Sequence, residues 1–354
     1  MEEALTFAAV GDIALSHNYE ELIKHKGPDY PFDHVRSFFW QKDIVFANLE
    51  GPLGISGKPY PLKCSLKAAP DYVKGLKNAG INVVSLANNH ILDYREDAMY
   101  ETMQLLEEHG ILFFGAGSNL AEARRPAILE KKGIRVGFLG YCDVVIDSPF
   151  YAGPNERGVS PFVLEYVKQD IHALRPRVDL LALSLHWGME NFSLPLPEQI
   201  RMGRELIDSG ADIILGHHPH VVQRLEQYKQ GYIAYSLGNF LFSDIDWSWH
   251  NEKGERKQSR VVLSKRNKRS LILSFSFNGR IESMNGSNGR LNGNHQVKII
   301  PAKPQKIVHA DQSSMAWDRY KYFLYRSIGL LKKYSKPFER RIRKAVKIVI
   351  GSNG

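Results

Sequence analysis

Three features of the sequence predict an α/β layered fold. Short apolar, β-branched runs recur over roughly the first 245 residues, amphipathic stretches lie between them, and the runs end in Gly, Asn, Asp or His. Runs that are apolar throughout read as strands buried on both faces. Their alternation with helical patterns argues for sheet and helix in layers.

In order, the runs fall at residues 5–10, 44–47, 81–87, 111–114, 135–139, 180–185, 213–215 and 232–237. The stretch 94–109 is the clearest helix. Asp93 with Glu96 three residues on has the form of a capping box, and Gly110 is a C-terminal stop. From about residue 250 the texture changes. Residues 251–270 are polar and basic, which suits a long loop or an exposed hairpin. Residues 270–277 alternate and read as a strand, with shorter strands at 280–284 and 297–300 after Gly- and Asn-rich turns. Pro301 and Pro304 mark a break, so the main domain is expected at 1–305 and a tail at 306–354. In the tail, Trp317, Tyr320, Phe323, Leu324, Ile328 and Leu331 recur at helical spacing. Pro337 interrupts, and Phe338, Ile342, Ala345, Val346 and Val349 continue. Two amphipathic helices with a cationic face are expected there.

The 354 residues, 43% hydrophobic, suffice for a real core. The net charge of +9 is concentrated. Residues 319–347 hold eleven Lys and Arg against one acid, Glu339, a charge of +10 that leaves −1 for the rest of the chain. A basic tail points to an anionic surface. Its interleaved Tyr and Phe permit nucleic acid, but Ile, Leu and Val opposite the cations suit an anionic membrane surface better, so no nucleic acid is expected. Cys64 and Cys142 form no C-x-x-C, which argues against a disulfide framework and a thiolate zinc site. There is no signal-peptide pattern, and no run approaches the ~18 apolar residues of a spanning helix. The expected location is cytoplasmic, with peripheral contact at the inner membrane face through the tail.

Chemistry-bearing residues fall at the ends of the predicted strands. Asp12 follows the first, Asn48 and Glu50 the second, and Asn88, Asn89 and His90 the third. His186 follows 180–185, and His217, His218 and His220 follow 213–215. In a mainly parallel sheet the carboxyl ends of strands share one edge, where ligands bind. Carboxylate, amide and imidazole suit hard and borderline divalent ions. A His-x-His pair can present its rings to two ions, and a carboxylate such as Glu50 can bridge them. Two ions about 3.5–4 Å apart can clamp an in-line displacement without a nucleophilic side chain. Singly, the residues have plainer readings: Asp12 as a cap, Glu50 as a turn carboxylate, Asn88 and Asn89 as turn formers, His186 as a core histidine. Three histidines within four residues after an apolar strand tip the reading toward metal.

The chain resembles the CapA family, named for capsule and poly-γ-glutamate synthesis. The matching pieces are Gly11-Asp12, Ala47-Asn48-Leu49-Glu50, Ser85-Leu86-Ala87-Asn88-Asn89-His90 with Leu92-Asp93-Tyr94, and Gly115-Ala116-Gly117. They continue through His186-Trp187-Gly188-Met189-Glu190, Gly216-His217-His218-Pro219-His220-Val221 and Tyr235-Ser236-Leu237-Gly238-Asn239-Phe240, in the family's order across about residues 5–245. The resemblance implies a calcineurin-like metallophosphoesterase fold, a two-sheet α-β-β-α sandwich, here with a basic helical C-terminal tail.

It also implies two divalent ions, Mn, Fe or Zn. Asp12 would bind one, Glu50 would bridge, Asn89 and His186 would bind the second, and His218 and His220 would take one each. His90 would act as general acid or orient the substrate. Asn48, Asn88, Trp187, His217, Asn239 and Lys67 are expected to support the ligands or meet substrate. Lys63, in the same stretch as Lys67, is a further candidate. Two positions depart from the pattern. The wider phosphoesterase set has a histidine two residues after the first aspartate, where this chain, like the CapA family, has no such ligand but Ala14. Arg95 stands where the family usually has Gly. The implied function is biosynthesis of capsule, exopolysaccharide or poly-γ-glutamate. The chain would be a dinuclear-metal hydrolase or transferase acting on a phosphoester or related bond of an anionic polymer or its phosphorylated precursor. The alternative is a non-catalytic, metal-organised polymer-binding component of a synthesis or export complex.

Overall fold

Two β-sheets pack face to face in the computed structural model, which describes residues 3–60, 63–144, 150–250, 255–291, 296–300 and 307–309. Among these residues the first sheet has eight strands. Its order is Val297–Ile300, Ile281–Leu291, Arg269–Phe277, Leu5–Ile13, Ile44–Leu49, Val83–Ser85 and Leu112–Phe114, with Asn239–Leu241 added parallel to the end of Leu5–Ile13. The second sheet runs Ile307–His309, Leu225–Tyr228, Gly231–Ala234, Ile213–His217, Leu180–His186, Ile134–Cys142 and Ala127–Lys131.

Period-2 alternation sends neighbouring side chains to opposite faces. Phe7, Phe46 and Val83 join Val136, Phe138, Ala182 and Leu215 between the sheets. The Phe138 ring lies 5.7 Å from Phe114, 6.2 Å from Phe7 and 6.3 Å from Phe46. Each such ring removed from water contributes roughly 1.5–3 kcal/mol. The next residues along, Val45 and Val84, face outward to the helices Tyr72–Ala79 and Arg95–Glu108, which bury Val73, Leu76, Met99 and Leu106 against them. Leu181, Leu183 and Ile214 meet the helices Leu164–Leu174 and Pro197–Asp208 on the other side, through Val167, Ile171, Ile200 and Leu206. The layers are therefore helix, sheet, sheet, helix, the sandwich that was expected.

All eight predicted runs form strands, with ends moved by a few residues. The edge strand Ala127–Lys131 and the strand Leu225–Tyr228 were not expected. Both are short and carry charged or amide side chains, so no continuous apolar run announces them. The basic stretch supplies one strand of a hairpin, Arg256–Val261, paired with Ile245–His250 just upstream of the expected bounds. The expected short strand at 280–284 extends over Ile281–Leu291. Ile307–His309 pairs parallel with Leu225–Tyr228, so those three residues belong to the second sheet. The helices expected in the tail fall outside the described residues. No helix among the described residues is long and apolar enough to cross a membrane.

One local expectation is corrected. The N-cap of Arg95–Glu108 is Tyr94, without a side-chain cap bond, and Asp93 does not close a capping box. Its carboxylate is taken by the Leu66 N–H, His90 and Lys63 instead. Glu96 pairs with Arg157 at 2.8 Å. Arg95 has φ 68, left-handed backbone that glycine adopts without penalty, which accounts for the family's preference there.

Parallel pairing aligns the strand ends. Asp12 is register partner of Asn48, Asn48 of Ser85, and His217 of His186. Gly11 permits the closest approach. A Cβ there would stand 1.8 Å from the Gly238 carbonyl oxygen. Without it the chain before Asn239 closes on the first strand, and the Asp12 N–H donates to that oxygen at 3.0 Å.

Candidate metal centre

Side chains from both sheets meet at the carboxyl ends of these strands. Asp12 is fully buried. Its Oδ1 accepts from Asn48 Nδ2 at 2.9 Å and lies 3.1 Å from His217 Nδ1. Its Oδ2 lies 3.4 Å from His220 Nδ1. Asn48 is held in turn by Asn88, whose amide also donates to the Leu49 carbonyl at 2.8 Å. His186 Nε2 lies 2.8 Å from Asn89 Oδ1. The His218 ring lies 4.9 Å from His186 and 5.8 Å from His220. Asn239 Oδ1 approaches His220 Nδ1 at 2.9 Å.

Glu50 is the discordant group. It is buried, neither oxygen has a hydrogen-bond partner, and its nearest basic atoms are His220 Nε2 at 3.6 Å and His90 Nε2 at 3.8 Å. Burial and then the charge of Asp12 push its carboxyl well above the usual range. Burial acts upward on Asp12 too, but hydrogen bonds from His217 and His220 outweigh it and hold that carboxyl well below. Two buried acids side by side, one unpaired, are costly unless a positive charge joins them.

The imidazoles point to the same chemistry. Burial, then the neighbouring His218, pushes His186 far down, and burial with His220 brings His218 down to about 3. Both are therefore neutral, the form that ligates metal. His220 is the exception. Burial lowers it, but the neighbouring acids Glu50 and Asp12 outweigh burial and raise it to about 10, so these acids draw positive charge to this point of the site. One ligand atom each from Asp12, Glu50 and His186 lie within 4.8 Å of one another, and so do atoms from Glu190, His218 and His220. Oxygen and imidazole donors without thiolate, around an unsatisfied buried carboxylate, fit divalent ions.

The backbone of the histidine turn is strained in the same place. His218 has φ 92 and His220 φ 55. Non-glycine residues in this region cost about 1–3 kcal/mol each and persist where the surroundings hold them, commonly at functional sites.

The chain matches the family model "Bacterial capsule synthesis protein PGA_cap" over residues 6–244. It belongs to that family. The PGA_cap match spans the strands and turns that carry every candidate ligand. Among curated relatives, the chain is 36% identical over 255 residues to the capsule biosynthesis protein CapA of Bacillus anthracis, covering 70% of this chain and 61% of that one. It is 33% identical over 250 residues to the PGA biosynthesis protein CapA of Bacillus subtilis (strain 168), covering 70% and 65%. The match thus spans just under two thirds of these relatives' length. Among solved structures, a putative 5'-nucleotidase from Staphylococcus aureus matches with TM-score 0.46 and 12% identity, over 90% of this chain and 58% of that one. The NAD nucleotidase of Haemophilus influenzae matches with TM-score 0.43 and 11% identity, over 92% and 60%.

Asp12, Asn48, Glu50, Asn88, Asn89, His90, His186, His217, His218, His220 and Asn239 all converge in this PGA_cap chain. Two candidates do not. Trp187 is fully buried in the outer layer, its indole N–H donating to the Tyr235 carbonyl at 3.0 Å and its ring stacked on Tyr235. Lys67 Nζ donates to the carbonyls of Ile55 and Ser56 and lies over the Tyr94 ring. Lys63, its neighbour, lines the cleft instead. Ala14 is buried and brings no donor.

Sequence reasoning passed over two residues. Asp93 Oδ2 lies 2.7 Å from His90 Nδ1, and its other oxygen is paired with Lys63, whose ammonium also donates to the Asn89 carbonyl at 2.6 Å. The string Asn-Asn-His-x-x-Asp held that signal. Glu190, four residues after His186, reaches the histidine turn. The centre opens into a cleft of about 780 Å³, bordered by Lys63, His90, Glu190 and His220 and by Val261, Lys265 and Arg266.

Proposed function

We propose that this chain is a metal-dependent hydrolase or transferase that acts on a phosphoester or related bond of an anionic substrate in capsule or poly-γ-glutamate synthesis. One observation carries the reading: Glu50, buried between Asp12, His90 and His220, has no hydrogen-bond donor on either oxygen. Divalent ions held by Asp12, Glu50, Asn89, His186, His218 and His220 would stabilise developing anionic charge and supply hydroxide near neutral pH. The chain's own residues do the rest. Asp93 holds His90 Nδ1, Nε2 lies 3.8 Å from Glu50, and the residue borders the cleft, which fits it to hand a proton to a leaving oxygen. Lys63, Lys265 and Arg266 give the cleft a positive rim that suits an anionic polymer or its phosphorylated precursor.

Elemental analysis beside turnover of generic phosphoesters tests this. Bound metal with turnover supports the enzyme. Bound metal without turnover, but with polymer binding, supports the second reading, a metal-organised polymer-binding component of a synthesis or export complex. Ala14 favours that second reading, since one expected ligand is missing. The +10 charge of residues 319–347 supports peripheral contact with an anionic membrane at the cytoplasmic face. Co-sedimentation with anionic vesicles, with and without residues 311–354, checks it, and binding to duplex DNA alone would reverse it.

A further inference from the structure

We propose that Glu190 is a metal ligand of this site, beside His218 and His220, in a chain whose residue 14 brings no donor. The inference rests on the metal-dependent reading above and extends it to a residue outside the expected set. One carboxylate oxygen of Glu190 lies within 4.8 Å of ring nitrogens of both His218 and His220. His218 is 5% exposed, and its Nδ1 is buried without a partner. A buried imidazole with an unpartnered nitrogen, close to a carboxylate and a second imidazole, offers the donor types that hold a divalent ion.

The loop that carries Glu190 is built onto the histidine turn. The Trp187 N–H donates to the His217 carbonyl at 3.1 Å, and the Asn191 N–H to the Pro219 carbonyl at 2.8 Å. Asn267 Nδ2 bridges the two loops, donating to Asn191 Oδ1 at 2.8 Å and to the His220 carbonyl at 3.0 Å. Gly188 at φ 90 and Asn191 at φ 60 bend the chain into this path. Glu190 is exposed on the cleft side, whereas Asp12, Glu50 and His186 are buried beneath. It thus stands at the mouth of the site, where an ion would meet substrate.

The test is elemental analysis and calorimetric titration with Mn²⁺ and with Zn²⁺ on the whole chain, comparing wild type, Glu190→Gln, Glu190→Ala and His218→Ala. The side chain is exposed, so circular dichroism should show both Glu190 variants folded. Both should bind one ion about 10–100-fold more weakly, at least the loss usual for a residue that merely supports a ligand. If the Glu190 variants keep wild-type metal content and affinity while His218→Ala loses metal, the assignment of Glu190 fails alone. If His218→Ala also keeps its metal, the metal centre itself fails, and this assignment with it.

Discussion

His90 Nδ1 and Asp93 Oδ2 lie 2.7 Å apart and three residues apart in the chain. The contact engages one ring nitrogen and leaves Nε2 on the side of Glu50, at 3.8 Å. His90→Ala is expected to lower kcat on a phosphoester by about 10²–10⁴-fold, the span of general acid catalysis. Metal content should stay unchanged. Asp93→Asn should lower kcat in the same direction. It should also cost about 1–3 kcal/mol of stability, because the carboxylate accepts a buried N–H from Leu66. Steady-state kinetics with urea denaturation separates the two effects. A His90→Ala variant with unchanged kcat would remove the proton-donor role.

Glu50 should reverse its effect with metal. In chelator its burial and the Asp12 charge outweigh the pull of His220, so Glu50→Gln, which buries no charge, is expected to raise the melting temperature of the metal-free chain. With Mn²⁺ at a hundred times its Kd, a bound ion adds about 2.7 kcal/mol to the wild type. Glu50→Gln should lose most of that increment. Thermal denaturation of both proteins, with and without chelator, reads the crossing. Equal responses to metal would contradict the bridging role.

The sequence made the central strands and the ligand string legible for one physical reason: a strand buried on both faces must be apolar throughout, so a polar residue at its end stands out. Asp12, Glu50 and His186 follow that rule. Edge strands such as Ala127–Lys131 carry exposed charge and lose the signal. Asp93 misled because an acid before a helix reads as a cap, and only three dimensions show His90 and Lys63 competing for it. Trp187 misled because adjacency to His186 in sequence puts its side chain on the opposite face of the strand from the site.

Asp43 gives an acid-dependent contribution away from the site. Burial raises its carboxyl, but two hydrogen bonds from Thr6, from N–H and Oγ1 at 2.7 Å each, and Lys132 at 3.0 Å outweigh burial and hold it below the ordinary range. A depressed carboxyl stabilises fully above its unfolded pKa, about 3.9, and loses that contribution as pH falls through the lower folded value. Asp43→Asn should therefore destabilise near neutral pH by about 1.5–3 kcal/mol, as for hydrogen bonds to a charged group. The difference from wild type should shrink below about pH 4. Unfolding free energies across pH check the sign, and a penalty that grew in acid would contradict it.

Trp187 offers the sharpest separation of packing from substrate contact. It is fully buried, its ring lies 6.2 Å from Tyr235 and nearly parallel to it at 12°, and its N–H satisfies the Tyr235 carbonyl. Trp187→Phe keeps most of the volume and leaves that carbonyl without its donor, at a cost of about 1–3 kcal/mol. Trp187→Ala opens a cavity beneath helix Pro197–Asp208 and should cost about 3–5 kcal/mol. KM for an anionic phosphoester should be unchanged in Trp187→Phe. Lys265→Ala, at the cleft, should raise KM instead, through loss of a cation beside the substrate path. Measured together, the two variants distinguish a wall of the core from a wall of the cleft. A raised KM in Trp187→Phe with unchanged stability would place the indole among the substrate contacts after all.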